Sequence, residues 1–167
     1  ACSITFGAPS KTFNIAGIVS SYSVVPNDSL RHRFHEWMEA NEMNAAPLFS
    51  PIATIAAFRK GEEWRKQMLE YVEGNINFLT DYCREKMPEI KPLRPQASFL
   101  VWLDCRSLGL DHDQLIDLFI NKAGLALNDG EMFNPGGQGF MRLNVGTPRK
   151  ILKSALDRLH KAISENL

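Results

Sequence analysis

From Asp28 to Met87 the apolar residues of this chain recur at helical spacing, and after Ile90 they stop doing so; this change of period limits the fold more than any other feature. Pro26-Asn27-Asp28 supplies a turn and an N-cap, and Leu30, Phe34, Trp37 and Met38 follow at helical spacing as far as Asn41. Beyond Asn44 and Pro47, from Pro51 onward, Ile55, Phe58, Trp64, Met68, Tyr71 and Ile76 fall on one side. That pattern predicts a long amphipathic helix, bent where Gly61 and Gly74 interrupt it. After Ile90, Pro92 and Pro95 bracket a short extended piece, and residues 98–104 read as a strand. A helix over 113–122 with Gly124 as its C-cap comes next, then a strand over 125–127, a glycine-rich turn over 134–139 and a strand over 140–145. Thr147 caps a last helix with Pro148 at its first position, and Ile151, Leu152, Leu156, Leu159 and Ile163 form its predicted buried stripe. Ahead of all this, residues 2–6 and 18–25 are rich in β-branched and aromatic types and flank a polar stretch, which reads as strand, loop, strand. The order suits an α/β layer of mostly antiparallel strands with helices packed on one face.

A chain of 167 residues can bury roughly 70% of the surface that its unfolded form exposes, enough for a core of its own. With 44% hydrophobic and 23% charged residues it has a globular composition. Nineteen basic residues balance nineteen acidic ones and form no stripe, which argues against a nucleic-acid partner. No apolar run is long enough to span a bilayer, and the opening residues lack the basic flank and apolar stretch of a signal peptide, so no membrane partner is expected. Cys2, Cys83 and Cys105 are far apart and form no CxxC pair, so neither a metal site nor a disulfide framework is expected, and a reducing cytoplasm fits best. The chain opens on Ala-Cys-Ser and runs directly into a predicted strand, which reads as a fragment of a longer protein.

Two segments carry chemistry. In the loop from Ala8 to Gly17 a single lysine, Lys11, sits between two apolar strands. An amine restrained at the edge of an apolar site has a lowered pKa, so it can attack an aldehyde and later act as a base; the other reading is a surface lysine in a turn. In the strand that follows Gly139, alternation puts Phe140, Arg142 and Asn144 on one face. A guanidinium on a rigid strand can grip a carboxylate through two parallel hydrogen bonds; the alternative is an arginine paired with a structural Asp or Glu.

Together, Ser10-Lys11-Thr12-Phe13-Asn14-Ile15-Ala16-Gly17, Ser98-Phe99-Leu100-Val101-Trp102-Leu103-Asp104 and Phe140-Met141-Arg142-Leu143-Asn144 resemble the pyridoxal-phosphate (PLP) aminotransferase superfamily of fold type I. The similarity is greatest to its cystathionine β-lyase, or C-S lyase, branch. The resemblance implies that residues 1–27 are a remnant of a large cofactor-binding domain and that 28–167 are interdomain helices and a C-terminal small domain. It implies Lys11 as the Schiff-base lysine that holds PLP and later acts as the base, and Arg142 as the clamp for the substrate carboxylate. Related aminotransferases place a serine just before the lysine and an arginine shortly after it for the cofactor phosphate. Those positions are Ala8 and Val19 here, which leaves Ser10 as the cofactor-binding candidate from this half. The implied reaction is β-elimination of a thiolate from an amino acid such as cystathionine; transamination uses the same lysine and arginine. The implied parent is a homodimer acting on a small amino acid, and this part alone, without the acidic partner of the pyridine nitrogen, is expected to be inactive. A reading of another class is a non-catalytic binding or dimerisation module.

The remaining candidates read as structural. Trp37, Phe58 and Trp64 are expected in the core, Tyr22 as a packed tyrosine, and His32, His35, His112 and His160 as solvated. Gly136-Gly137-Gln138-Gly139 reads as a hairpin turn because no helix follows it to bind phosphate. Arg149, in the first turn of the last helix, gains nothing from the helix dipole, which leaves a specific contact or simple exposure.

Overall fold

The computed structural model describes residues 2–133 and 135–166; Asn134, which opens the predicted glycine-rich turn, lies outside them. The chain forms two compact units, Ala1–Met68 and Leu69–Leu167.

In the first unit, β1 (Thr5–Gly7) pairs antiparallel with β2 (Tyr22–Val24), Thr5 opposite Val24 and Gly7 opposite Tyr22. The helix α1 (Asp28–Ala40) starts where predicted: the Asn27 side chain accepts from Leu30 N at 2.8 Å, and Arg31 reaches back to the Val25 carbonyl at 2.9 Å. The single long helix expected after Pro51 is two helices, α2 (Ser50–Lys60) and α3 (Glu62–Lys86), parted at Gly61. The ring of Phe13 fills the space beside Gly61, where a Cβ would stand 2.8 Å from it. Gly74 does not interrupt α3. Trp37, Phe58 and Trp64 are 56%, 53% and 45% exposed and are not core residues. Helical spacing reports that a stripe is apolar and says nothing of what covers it; among the described residues of this unit the buried hydrophobic side chains are those of Phe13 and Val25.

The second unit holds a four-stranded antiparallel sheet in the order β3 (Lys91–Leu93), β4 (Leu100–Asp104), β6 (Phe140–Asn144), β5 (Asn128–Asp129). Its central strands alternate, so that Val101, Leu103, Met141 and Leu143 are buried while Leu100, Trp102, Phe140 and Arg142 are half-buried on the opposite face. Three helical stripes supply the rest of the core: Val72, Ile76, Leu79 and Cys83 of α3; Leu115 of α4 (His112–Asp117) with Leu118 and Phe119 of the wider π-turn that continues it; and Leu152, Leu156, Leu159, Ala162 and Ile163 of α5 (Arg149–Asn166). Ile151, expected in the last stripe, is exposed, and Ala162 stands in it instead. α4 is set by a capping box between Asp111 and Gln114. The strand expected over 125–127 begins later, at Asn128, because Leu125 N still closes the preceding helix by donating to Phe119 O at 2.7 Å. Antiparallel sheet and helices make this an α/β fold of the class that the order of segments predicts.

One buried amide joins these parts. Asn75, fully buried on α3, donates to the carbonyls of Val145 and Thr147 at 2.7 and 2.8 Å and accepts from Arg149 Nε at 2.6 Å. Arg149 therefore has the specific contact: its guanidinium lies over Phe78 at 4.7 Å, its backbone N–H donates to the Tyr71 hydroxyl, and Gly74 leaves it room. Replacing Asn75 with Ala orphans two carbonyls and one guanidinium nitrogen, and should lower the unfolding free energy by on the order of 2–4 kcal/mol in denaturant titration.

All three cysteines are free; Cys2 is exposed, Cys83 and Cys105 are buried. Burial pushes both of the latter thiols up from 9.0 to about 12. Because the folded values are raised, the neutral thiols favour the folded state below pH 9.0, and this contribution is lost as pH climbs toward about 12. A thiol reagent at neutral pH should modify Cys2 at once and reach the other two only in denaturant; rapid labelling of all three would contradict the closed core.

Candidate functional site

The Lys11 segment is a single wound turn. Phe13 N donates to Pro9 O at 2.9 Å and Ile15 N to Ser10 O at 3.0 Å, which turns Phe13 inward and leaves Lys11 and Thr12 exposed. Phe13 is the anchor: it is buried, meets the Phe58 ring edge-on at 5.4 Å and fills the gap at Gly61. Lys11 forms no ion pair among the described residues, and Ser10, beside it on the same turn, is half-buried. The chain leaves the turn through Val19, a β-branched residue in the left-handed region at φ 53°. That conformation is costly for valine. It is held by α2, where the buried Ser50 hydroxyl donates to Ile18 O at 2.5 Å and lies 3.2 Å from Val19 O, and where Thr54 meets the Ser20 hydroxyl at 2.6 Å. Ala8 and Val19, where related aminotransferases place phosphate contacts, are both exposed. Tyr22 is half-exposed, packed against Gly7 and edge-on to Phe58.

Arg142 lies in the second unit, on the open face of β6, with Trp102 of β4 and Asn128 of β5 as its cross-strand neighbours. It has no carboxylate partner among the described residues. Its NH2 group donates to Asn128 Oδ1 at 2.9 Å, its guanidinium lies 4.3 Å over the Phe133 ring, and its Nε is buried without a hydrogen-bond partner among the described residues. Phe133 in turn meets Trp102 edge-on at 5.3 Å. Further along the face Asp104 accepts two hydrogen bonds from the Arg106 side chain, which hold its carboxyl below the usual range, while Arg106 covers Phe140.

Sequence reasoning missed Asn128 and Phe133. A two-residue strand carries no readable period, and only the register Asn128 opposite Arg142 reveals the contact. His112 is exposed, as expected, with Nε2 3.5 Å from Asp129 and Nδ1 3.4 Å from Glu131. Gly136 and Gly139 both have positive φ, as the predicted turn requires. Among the described residues no group of three or more His, Cys, Asp or Glu could hold a metal, and no helix is long and apolar enough to cross a membrane.

No protein-family model matches the chain. The cystathionine beta-lyase PatB of Bacillus subtilis is 36% identical over 162 residues, which takes in 97% of this chain and 42% of that protein. Among solved structures, cystalysin from Treponema denticola, which contains a pyridoxal 5'-phosphate cofactor, matches with a TM-score of 0.85 at 31% identity, over 97% of this chain and 41% of its own. The PLP-bound C-S lyase from Staphylococcus hominis matches with a TM-score of 0.84 at 30% identity, over 98% and 43%. The chain is homologous to the cystathionine β-lyase branch of the fold type I aminotransferase superfamily. It spans about two fifths of the length of these relatives. In this C-S lyase homologue, Ser10 and Lys11 share one turn of the first unit, and Arg142 stands on the sheet of the second.

The Phe13 anchor is open to test. Gly61→Ala puts a methyl group against both the Ala57 carbonyl oxygen, at 2.5 Å, and the Phe13 ring, at 2.8 Å, and should cost about 1–3 kcal/mol in unfolding free energy. Amide exchange at Phe13 and Ile15 should quicken with it; unchanged exchange would show that the turn does not depend on this packing.

Proposed function

We propose that this chain is the C-terminal part of a PLP-dependent C-S β-lyase, in which Lys11 holds the cofactor and moves the proton and Arg142 grips the substrate carboxylate. One observation carries the reading: a half-buried guanidinium on a rigid strand, paired with no carboxylate among the described residues and retaining a buried, unpartnered Nε. An unmet charged donor of this kind is matched by a planar anion. The donor set fits the cofactor in part. A primary amine held out on an anchored turn suits an aldehyde, and the Ser10 hydroxyl beside it suits a phosphate oxygen. In this reading residues 1–27 belong to a larger cofactor-binding domain, and the acidic partner of the pyridine nitrogen comes from the portion of the relatives that this chain does not span; the chain alone is inactive.

When bound, PLP supplies an aldehyde that takes up amines and a ring that withdraws electrons from the carbon beside that nitrogen. Arg142 fixes the carboxylate of the incoming amino acid and so orients its α-hydrogen. Lys11 Nζ, the amine that would hold the group, would also accept the substrate's α-proton. With the group bound, the reaction so served would be loss of a β-thiolate, which with water gives a thiol, pyruvate and ammonia overall. Transamination draws on the same two side chains; PatB and the Staphylococcus hominis protein are named lyases, which favours elimination, while a similar structure from Clostridium difficile is named, provisionally, as an aminotransferase. Free cysteines fit a cytoplasmic setting, and the parent acts on small amino acids as a homodimer.

In the full-length parent, Arg142→Lys keeps the charge and loses the two-pronged grip, and should raise KM roughly tenfold to a hundredfold with a smaller effect on kcat. Lys11→Ala removes the base and should lower kcat by about a hundredfold to ten-thousandfold while amino acids still bind. A normal KM for Arg142→Lys would end the assignment of Arg142.

A further inference from the structure

Ser50, Thr54, Phe58 and Gly61 follow one another at helical spacing along α2 and its end, so they form a single stripe. Every one of them meets the segment just after Lys11. Ser50 Oγ donates to Ile18 O at 2.5 Å and lies 3.2 Å from Val19 O, the Thr54 and Ser20 hydroxyls meet at 2.6 Å, and Phe58 and Gly61 take the Phe13 ring. Ser50 is the most telling of the four. It is 1% exposed, and α2 begins without a side-chain cap although this hydroxyl stands at its first residue. The hydroxyl is used instead on a carbonyl 32 residues away. What it holds there is the exit of the lysine loop, Val19 at φ 53°, a conformation that valine abandons unless its surroundings maintain it. At its base the same loop is closed by the pairing of Gly7 with Tyr22.

We propose that Ser50 and Thr54 are positioning residues for Lys11, so that one face of α2 sets where the amine stands and how well it moves a proton. The proposal rests on the reading of Lys11 as the amine that holds the cofactor and serves as base. Neither hydroxyl touches Lys11; both act through the backbone. The wound turn is pinned on one side by Phe13, two residues beyond Lys11, and on the other by the bonds from α2 to Ile18 and Ser20. Without the Ser50 hydroxyl the Ile18 carbonyl loses a donor, Val19 relaxes toward negative φ, and the turn can swing about its Phe13 anchor. Proton transfer tolerates little of this, because misplacement by an ångström costs about a hundredfold in rate. Arg142 takes no part in these contacts, so the loss falls on kcat and spares KM.

Amide exchange on the 167-residue chain reads the turn directly, and steady-state kinetics of the cofactor-loaded parent read its consequence. Ser50→Ala should quicken exchange at Ile15, Ile18 and Val19 roughly tenfold, leave the amides of β4 and β6 unchanged, and lower kcat about tenfold to a hundredfold with little change in KM. Thr54→Val, which keeps the shape and loses the hydroxyl, should act in the same direction, and Thr54→Ser should not. In a Val19→Asn background, where the left-handed conformation is tolerated, Ser50→Ala should do less harm. Unaltered exchange, unaltered kcat, a rise in KM instead, an equal loss of protection in β4 and β6, or full harm in the Val19→Asn background would each overturn the positioning role. Lys11→Ala in the same parent judges the underlying reading separately. If it abolishes turnover while Ser50→Ala changes nothing, the reading of Lys11 stands and the role of α2 falls; if it leaves turnover intact, both fall.

Discussion

The second unit is organised around one side chain that the hydrophobic effect alone would never bury. Asn75 sits in the apolar stripe of α3, and its amide is satisfied on both sides by the carbonyls of Val145 and Thr147 and by Arg149 Nε. An unsatisfied amide there would cost several kcal/mol. The chain from the end of β6 to the start of α5 therefore has one placement that leaves no polar group stranded, and this fixes the end of the strand that carries Arg142. Polar joints of this kind define a geometry more sharply than apolar packing does, because hydrogen bonds fail within a fraction of an ångström whereas methyl groups tolerate sliding.

Fixing β6 divides the sheet into two chemistries. Val101, Leu103, Met141 and Leu143 face the helices and are buried; Trp102, Phe140 and Arg142 face the other way and remain half-buried. A guanidinium on that second face has two compensations, the Asn128 amide oxygen and the Phe133 ring. Neither is a charge. A cation held by a neutral acceptor and an aromatic face, with one donor unmet, is stabilised less than an ion pair would stabilise it; on the proposed reading of Arg142, a carboxylate would remove that deficit. Arg106 on the same face shows the contrast: it is fully committed to Asp104, so its charge is spent within the fold.

Much of this was legible in the residues, and the limits have physical causes. Capped and strongly patterned elements were readable: the Asn27 cap of α1, the alternation of β4 and β6, and most of the α5 stripe, because local hydrogen bonds and period fix them. Trp37, Phe58 and Trp64 were misread because periodicity reports that a stripe is apolar and not what lies against it. The break at Gly61 was foreseen only as a bend, since it depends on the Phe13 ring arriving from a segment far away in sequence. Asn128 and Phe133 were invisible for a related reason. They belong to a two-residue strand and a short helical turn, where pairing register, and no local signal, decides what touches Arg142.

Lys11 and Arg142 stand on elements that are made rigid by different means. Arg142 inherits its position from a β-ladder with residues paired on both sides, so it is held by many weak constraints at once. Lys11 sits on a short turn with no ladder through it, and its position rests on a few strong ones: the buried Phe13 ring, the space left at Gly61, and the Ser50 hydroxyl that holds the chain through Ile18 and Val19. A valine at positive φ persists only where its surroundings outweigh the backbone cost, and here that weight comes from hydrogen bonds to α2 rather than from burial, for Val19 itself is exposed. The two arrangements suit two tasks. The carboxylate grip proposed for Arg142 needs a fixed direction. On the proposed reading, the amine must first hold a partner and then move a proton, which needs a fixed base and a free end, and an exposed lysine on an anchored turn has both.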